Sequence, residues 1–356
     1  MGGGSSVTSN PRNVQQRKRI EYIDAMRGFT MVLVVLTHVS SFGLGMYGSD
    51  TFSYSKIFAE FRMPLFFFVS GFVLYKSNFI WNIKNTIAFI RKKIPVQILS
   101  PLLFLLISTL TRNVPFVDAL FDSSKDGYWF TFTLFDYYIM YIIAQWFVRI
   151  MKVPSFWEDI ILASVGLFIF CASAYSIYDH LNIDKQVIGL FGLPTMQYFI
   201  FFVFGNRVRK HYDLFEKILD GKFFLFICIN IFVWFNIFDT MSLLSSALNK
   251  LLLSVSGICV VFAFFRSNEP LFLKTTLLGR VMQYVGTHTL DIYLLHYFFV
   301  YSNMQNVLPN YGALNSPFLE FMTSFALSTL VIMSCLAFSR ILRSSRILAH
   351  YLFGSK

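Results

Sequence analysis

Ten apolar stretches decide what this chain can become: residues 24–46, 57–76, 94–111, 128–149, 158–178, 190–206, 222–238, 243–265, 282–304 and 316–338. Crossing a hydrocarbon core of roughly 30 Å takes about 20 helical residues. Lipid offers no partner to a backbone N–H or C=O, so only helices or a closed barrel can cross it. These runs are too long for barrel strands and lack their alternation. With 56% hydrophobic and 14% charged residues, against about a quarter charged in a soluble domain, the expected fold is all-α. It is a polytopic membrane helix bundle of about ten transmembrane helices.

Lysine and arginine accumulate in cytoplasmic loops. Placing the N-terminus inside puts 24 of the 30 basic residues on the cytoplasmic side. Lys56, Arg62, Arg112, Lys125, Lys185 and Lys250 are left outside, with Asp118, Asp122, Asp126, Asp179 and Asp184. Both termini are therefore expected in the cytoplasm. The net charge of +11 is then mostly a topology signal that calls for no nucleic acid, and a basic inner face also suits anionic membrane lipid or a phosphorylated cytoplasmic ligand.

The expected organisation is a mobile cytoplasmic tail over 1–19, a single bundle over 20–345 and a second cytoplasmic tail over 346–356. The first segment is polar and lacks the cleavage pattern of a secretory signal. Cys171, Cys228, Cys259 and Cys335 sit singly in four runs, outlining neither a disulfide framework nor a metal site. No Walker motif, phosphate-cradling glycine loop or soluble catalytic domain is present. Any chemistry belongs in or beside the bundle.

The first run, within RIEYIDAMRGFTMVLVVLTHVS, carries Asp24, Arg27 and His38. Eleven residues separate Arg27 from His38, which at about 100° per residue leaves them within about 20° of each other around a helix and roughly 16 Å apart along it. Asp24 and Arg27 are i,i+3 neighbours on the same side. Arg27 is expected at the cytoplasmic mouth, with His38 near mid-depth. The plain reading of the pair is a snorkelling arginine held by an interfacial aspartate. A mid-span histidine is harder to dismiss, because an ionisable group there is costly unless it meets a cavity or a partner.

A second polar group lies in VGTHTLDIYLLHYFFV, where His288 and Asp291, and Tyr293 and His296, are i,i+3 pairs. His296 lies about as far into its run as His38 does, so the two histidines are expected at one level, facing each other or each satisfied by a backbone carbonyl. A third stretch, FRMPLFFFVSGFVLY, places Arg62 in the outer part of the second run, followed by Pro64 and the small pair Ser70–Gly71, which permits close helix approach.

The succession of IDAMRG, a histidine eleven positions after its arginine, RMPLFFFVSGF, Trp129–Phe130 opening the fourth run, and G-x-x-T-L-x-I-Y-L-L-H ending in His296 resembles the acyltransferase-3 family of membrane acyltransferases. The resemblance covers Asp24 to about Tyr297. It implies one bundle of about ten helices in the bacterial cytoplasmic membrane, O-acylating sugars of surface polysaccharides. The donor it implies is acetyl-CoA or another acyl-CoA, used as a substrate, with no permanently bound cofactor. The family's arginine and histidine of the first span map onto Arg27 and His38, and its late tyrosine and histidine onto Tyr293 and His296. Some members append an extracytoplasmic hydrolase-like domain. This sequence ends at Lys356, so transfer to the glycan or lipid-linked saccharide acceptor is expected from the bundle itself or from a separate extracytoplasmic partner.

Acyl transfer from a thioester to a hydroxyl needs a base, oxyanion stabilisation and a grip on the anionic donor. His38 is the candidate base, since histidine alone has an ordinary pKa near neutrality. Arg27, oriented by Asp24, is the candidate donor-binding residue. His296 is the second catalytic candidate, while Arg62, Tyr293 and Trp129 are candidates for holding the acceptor, and no metal site is expected. Ser70 as an acyl-carrying nucleophile has no base nearby in sequence. The rival expectation is a transporter or flippase of a polysaccharide precursor, with Asp136 as its intramembrane charge.

Overall fold

The computed structural model describes residues 20–45, 54–77, 79–237, 243–300 and 316–354. The expected tail over 1–19, the ends of the first, seventh and ninth apolar runs, and Arg12, Arg17, Lys18, Arg19 and Lys356 lie outside them. Every regular element among the described residues is helical. In chain order these are α1 (Glu21–His38), α2 (Tyr54–Leu74), α3 (Ile83–Ile94), α4 (Ser100–Arg112), α5 (Phe116–Phe121), α6 (Trp129–Ile150), α7 (Ser155–Ala174), α8 (Ile177–His180) and α9 (Lys185–Leu190). They continue with α10 (Phe199–Lys210), α11 (Tyr212–Asp220), α12 (Lys222–Ile237), α13 (Leu243–Ser267), α14 (Leu277–Thr287), α15 (Thr289–Phe299), α16 (Pro317–Ser344) and α17 (Arg346–Phe353).

Among the described residues, six continuous helical stretches are long and apolar enough to cross a membrane: Glu21–Gly43, Ile57–Leu74, Ile83–Arg112, Ser155–Ala174, Ala247–Ser267 and Pro317–Ser344. The other four runs are also helical but take different forms. α6 is 22 residues long but interrupts its apolar residues with Asp136, Gln145 and Arg149. The run near 190–206 is a 3₁₀ turn at Leu193–Tyr198 leading into α10. α12 has 16 residues. The run near 282–304 starts earlier, at Leu277, and is broken at His288 into α14 and α15. Side chains such as Phe223 (75% exposed), Ile150 (74%) and Phe168 (70%) leave broad apolar faces of the kind that lipid covers. The chain is an all-helical, multi-pass membrane protein.

Some boundaries depart from the apolar pattern. The third run begins as helix eleven residues early, at Ile83, because Asn82 caps it by accepting from Asn85 N–H at 2.8 Å. Pro95 falls inside this continuous helix, and its missing N–H and its ring interrupt the regular ladder, which a π-helical turn (Pro95–Leu99) takes up. At the other end of the chain, 346–353 is a packed helix. Ser345 caps it and Phe353 is buried under the Arg343 guanidinium, 4.4 Å from the ring centroid.

Two glycine crossings set the helix registers around the centre. A Cβ on Gly28 of α1 would stand 2.1 Å from the Met282 carbonyl oxygen of α14, and one on Gly286 would stand 1.9 Å from the Asp24 carbonyl oxygen. Gly71 of α2 and Gly205 of α10 cross in the same reciprocal way: a Cβ on either would stand 1.9 Å from a carbonyl oxygen of the other helix, that of Phe202 and of Phe68 respectively. Backbones approach this closely only where neither side bears a side chain, as the Ser70–Gly71 pair led us to expect. α1 is thereby sunk in the core, with Met31 and Val35 in one apolar cluster and Met26 and Leu36 in the other.

Candidate active site

The geometry places the polar stripe of α1 against α15. At the N-terminal end, Arg27 Nη2 donates to Thr289 Oγ1 at 3.3 Å and Nη1 lies 3.9 Å from Asp24 Oδ1. At the other end, His38 Nδ1 and His296 Nε2 are 2.8 Å apart, with the rings stacked at 22°. Arg27 and His38 thus face one neighbouring helix, as their spacing implies. His38 closes α1, five residues before the end of the continuous Glu21–Gly43 stretch, and the helix starts three residues ahead of the apolar run. A π-helical turn, Val39–Gly43, follows immediately, a distortion that often marks functional positions. Ser40 in that turn donates to Glu320 Oε1 of α16 at 2.6 Å, pinning the backbone beside His38.

The hydrogen bonds assign the protons. His296 Nδ1 lies 2.7 Å from the Tyr293 carbonyl oxygen and 3.1 Å from that of Ile292. Carbonyls only accept, so this nitrogen carries the hydrogen. In the neutral ring Nε2 is then an acceptor, and the contact at 2.8 Å makes His38 Nδ1 its donor. His38 is left with an unprotonated Nε2, the form a general base needs. His296 is fully buried at 0% exposure, whereas His38 is half-buried. Of the two rings, only His38 keeps accessible surface.

Tyr297 and Phe42 complete the walls, with ring centroids 5.2 and 5.5 Å from His38. The loop before α6 closes over α15. Tyr293 OH donates to the Gly127 carbonyl at 3.0 Å and accepts from Phe130 N–H at 3.1 Å, and Tyr128 OH donates to the Leu294 carbonyl at 3.1 Å. The Tyr293 hydroxyl is thus engaged with backbone on both sides and ties the helix that carries His296 to the start of α6. Trp129 stacks at 25° on Tyr198, their ring centroids 6.0 Å apart, and Tyr198 stacks on Phe67. Arg62 belongs to the same neighbourhood: it is an electrostatic neighbour of His38, Tyr198 and Tyr297, and its Nη1 is buried with no hydrogen-bond partner.

Other candidates disperse. Asp291 accepts a two-pronged bond from Arg343 at 2.8 and 2.7 Å and a third from Ser339. His288 Nδ1 lies 2.9 Å from the Tyr284 carbonyl, its ring against Tyr284. These two do not join His296 in one site. Ser70 donates to the Phe66 carbonyl of its own helix at 2.9 Å, the usual resting bond of a helical serine. Thr289, Tyr297, Glu320 and the Gly127 carbonyl were not anticipated. Only Thr289 left a trace, as the threonine of G-x-x-T-L.

A base-bearing histidine pair inside a membrane bundle, with an arginine further along the same helix face, suits transfer of a group from an anionic donor. No curated protein and no solved structure matches the chain significantly. The family model Acyl_transf_3, described as an acyltransferase domain, matches residues 20–337, and the chain belongs to this family of membrane acyltransferases.

Proposed function

We propose that the protein is an O-acyltransferase that moves an acyl group, acetyl in the simplest case, from cytoplasmic acyl-CoA to a hydroxyl of a surface or lipid-linked glycan. The observation that carries this reading is the His38–His296 contact at 2.8 Å on the α1 face that also bears Arg27. In the orientation favoured by the basic residues, with ten spans and both termini inside, Arg27 stands at the cytoplasmic mouth. There a guanidinium matches phosphate oxygens two at a time, and Asp24 and Thr289 aim it. The pantetheine arm runs inward along α1, and the thioester arrives at His38.

His38 Nε2 removes the proton of the acceptor hydroxyl as its oxygen attacks the thioester carbon. His296 keeps the imidazole in the needed tautomer and shares the charge that develops. The C–S bond then breaks, and the proton held on His38 goes to the departing CoA sulfur, leaving an ester and a free thiol. The far-end position of His38 brings this chemistry within reach of an acceptor approaching from the outer side. In a bacterial cytoplasmic membrane, that side holds the envelope glycans.

The test is mass spectrometry of surface glycans from cells with and without the protein, with a His38→Gln strain as third arm. A mass difference of one acyl group that is lost in His38→Gln is expected. In purified protein His38→Gln should bind acetyl-CoA normally and turn over about 10²–10⁴-fold more slowly. Glutamine can hydrogen-bond but takes no proton at neutral pH, so near-normal turnover would make the histidine pair a packing seam. Identical glycans in all three strains would remove the glycan acceptor.

A further inference from the structure

Two cations near the His38 end form no ion pair among the described residues. Arg62 of α2 has its Nη1 buried and without a hydrogen bond. Lys250 of α13 forms no ion pair, and its Nζ stands 5.6 Å from the centre of the Tyr198 ring. Tyr198 joins them, being also among the electrostatic neighbours of Arg62, with Tyr54, Tyr297 and Glu60. The helices bearing the cations are tied at this level: Ser254 Oγ of α13 donates to the Glu60 carbonyl of α2 at 2.6 Å, and Gly257 lies against Phe61. Long helical side chains lean toward their own N-terminus. α2 and α13 run the same way here, so Arg62 and Lys250 lean the same way. Glu60 is two residues from Arg62 and so is turned away from it on the helix.

A buried guanidinium N–H without a partner is costly and calls for an explanation. Packing alone explains it poorly, because an apolar residue would fill the same space. Two unpaired cations flanking a partly exposed aromatic pair, Tyr198 and Trp129, suit a ligand with a ring to stack and an oxyanion to bind. Arg62, Lys250, Tyr198 and Trp129 all keep some accessible surface, and Arg62 is an electrostatic neighbour of His38.

We propose that Arg62 and Lys250 form an oxyanion-binding subsite for the acceptor, so that the saccharide acylated at His38 carries a negative charge close to the reacting hydroxyl. The charge is either the carboxylate of an acidic sugar or the phosphate that links a saccharide to its lipid. The inference rests on the acyltransferase reading and adds the acceptor class to it.

Calorimetric titration of the full chain in nanodiscs tests it with four probes: trigalacturonate, its methyl ester, inorganic pyrophosphate and acetyl-CoA. An anionic probe should bind while the neutral methyl ester does not. Arg62→Gln and Lys250→Gln should each weaken that binding at least tenfold, and Lys250→Arg should restore most of it. Preference for trigalacturonate identifies an acidic sugar, and preference for pyrophosphate a lipid-linked saccharide. Should Arg62→Gln fail to fold, Lys250→Gln decides alone, with acetyl-CoA affinity certifying each folded sample. Equal binding of the methyl ester, no binding of either anion, or unchanged affinity in Lys250→Gln would overturn the subsite. Failure of the wild type to bind acetyl-CoA while anion binding persists would instead overturn the acyltransferase reading.

Discussion

If His296 serves as a hydrogen-bond acceptor for His38, its replacements should rank by their ability to accept at the Nε2 position. In His296→Ala, His38 Nδ1–H loses its partner at 2.8 Å in surroundings where the lost partner was fully buried. A buried donor left unsatisfied costs about 1–3 kcal/mol, and the ring escapes that cost by turning or by moving its proton to Nε2, both of which remove the base. At about 1.4 kcal/mol per decade, kcat/KM should fall roughly five- to 150-fold. In His296→Gln the amide oxygen reaches about the place of Nε2 and only accepts, so activity should stay within about threefold of wild type, as expected when one acceptor replaces another. The assay is acetyl transfer from labelled acetyl-CoA by purified protein, normalised to folded protein by acetyl-CoA binding. Wild-type kcat/KM in His296→Ala would refute the assignment of the tautomer. Equal and large losses in Ala and Gln would refute it differently, by showing that His296 must itself move a proton.

Three more outcomes follow from the same geometry. Arg27→Ala should weaken acyl-CoA binding by an order of magnitude or more, as loss of a charge-assisted phosphate contact implies, and Arg27→Lys should recover part of it, since lysine lacks the planar fork; unchanged affinity removes Arg27 from the donor site. Gly28→Ala puts a Cβ 2.1 Å from the Met282 carbonyl and must part α1 from α14 by about 1 Å; displacement on that scale costs about 10²-fold in rate, while Gly221→Ala, whose nearest atom is 3.1 Å away, should be nearly silent. Cysteines placed at Ser123 and Ser267 of a Cys-free variant should label from outside and inside respectively, and labelling from one side only would contradict the ten-span arrangement.

The helical class, the membrane location and the shared face of Arg27 and His38 were legible because each rests on a local rule. Apolar length fixes whether a segment can cross lipid, and the helical repeat fixes which residues of one segment share a face. The order of motifs from IDAMRG to LLH carried the family for the same reason, being a property of the chain in line. Helix ends were less legible. Asn82 starts α3 ahead of its apolar run through one side-chain bond, and the break at His288 gives no apolar signal at all.

Contacts between helices lay beyond the sequence. Equal depth made a meeting of His38 and His296 conceivable, but their 2.8 Å contact depends on how α15 is rotated and shifted against α1. That register is set by the Gly28–Gly286 crossing together with the bonds that join Tyr293 and Leu294 of α15 to Gly127, Tyr128 and Phe130 at the start of α6. The base-bearing state of His38 required one step more, since the tautomer follows from two carbonyls on the far side of its partner. The same holds for Tyr293, which the motif marks but whose hydroxyl proves to be held by backbone, and for Arg62, whose unpaired Nη1 is visible only once every neighbour is in place. A single helix determines what it carries and on which side. What those groups touch is decided by the packing of many helices at once, because the energy of a contact depends on distances that no local pattern encodes.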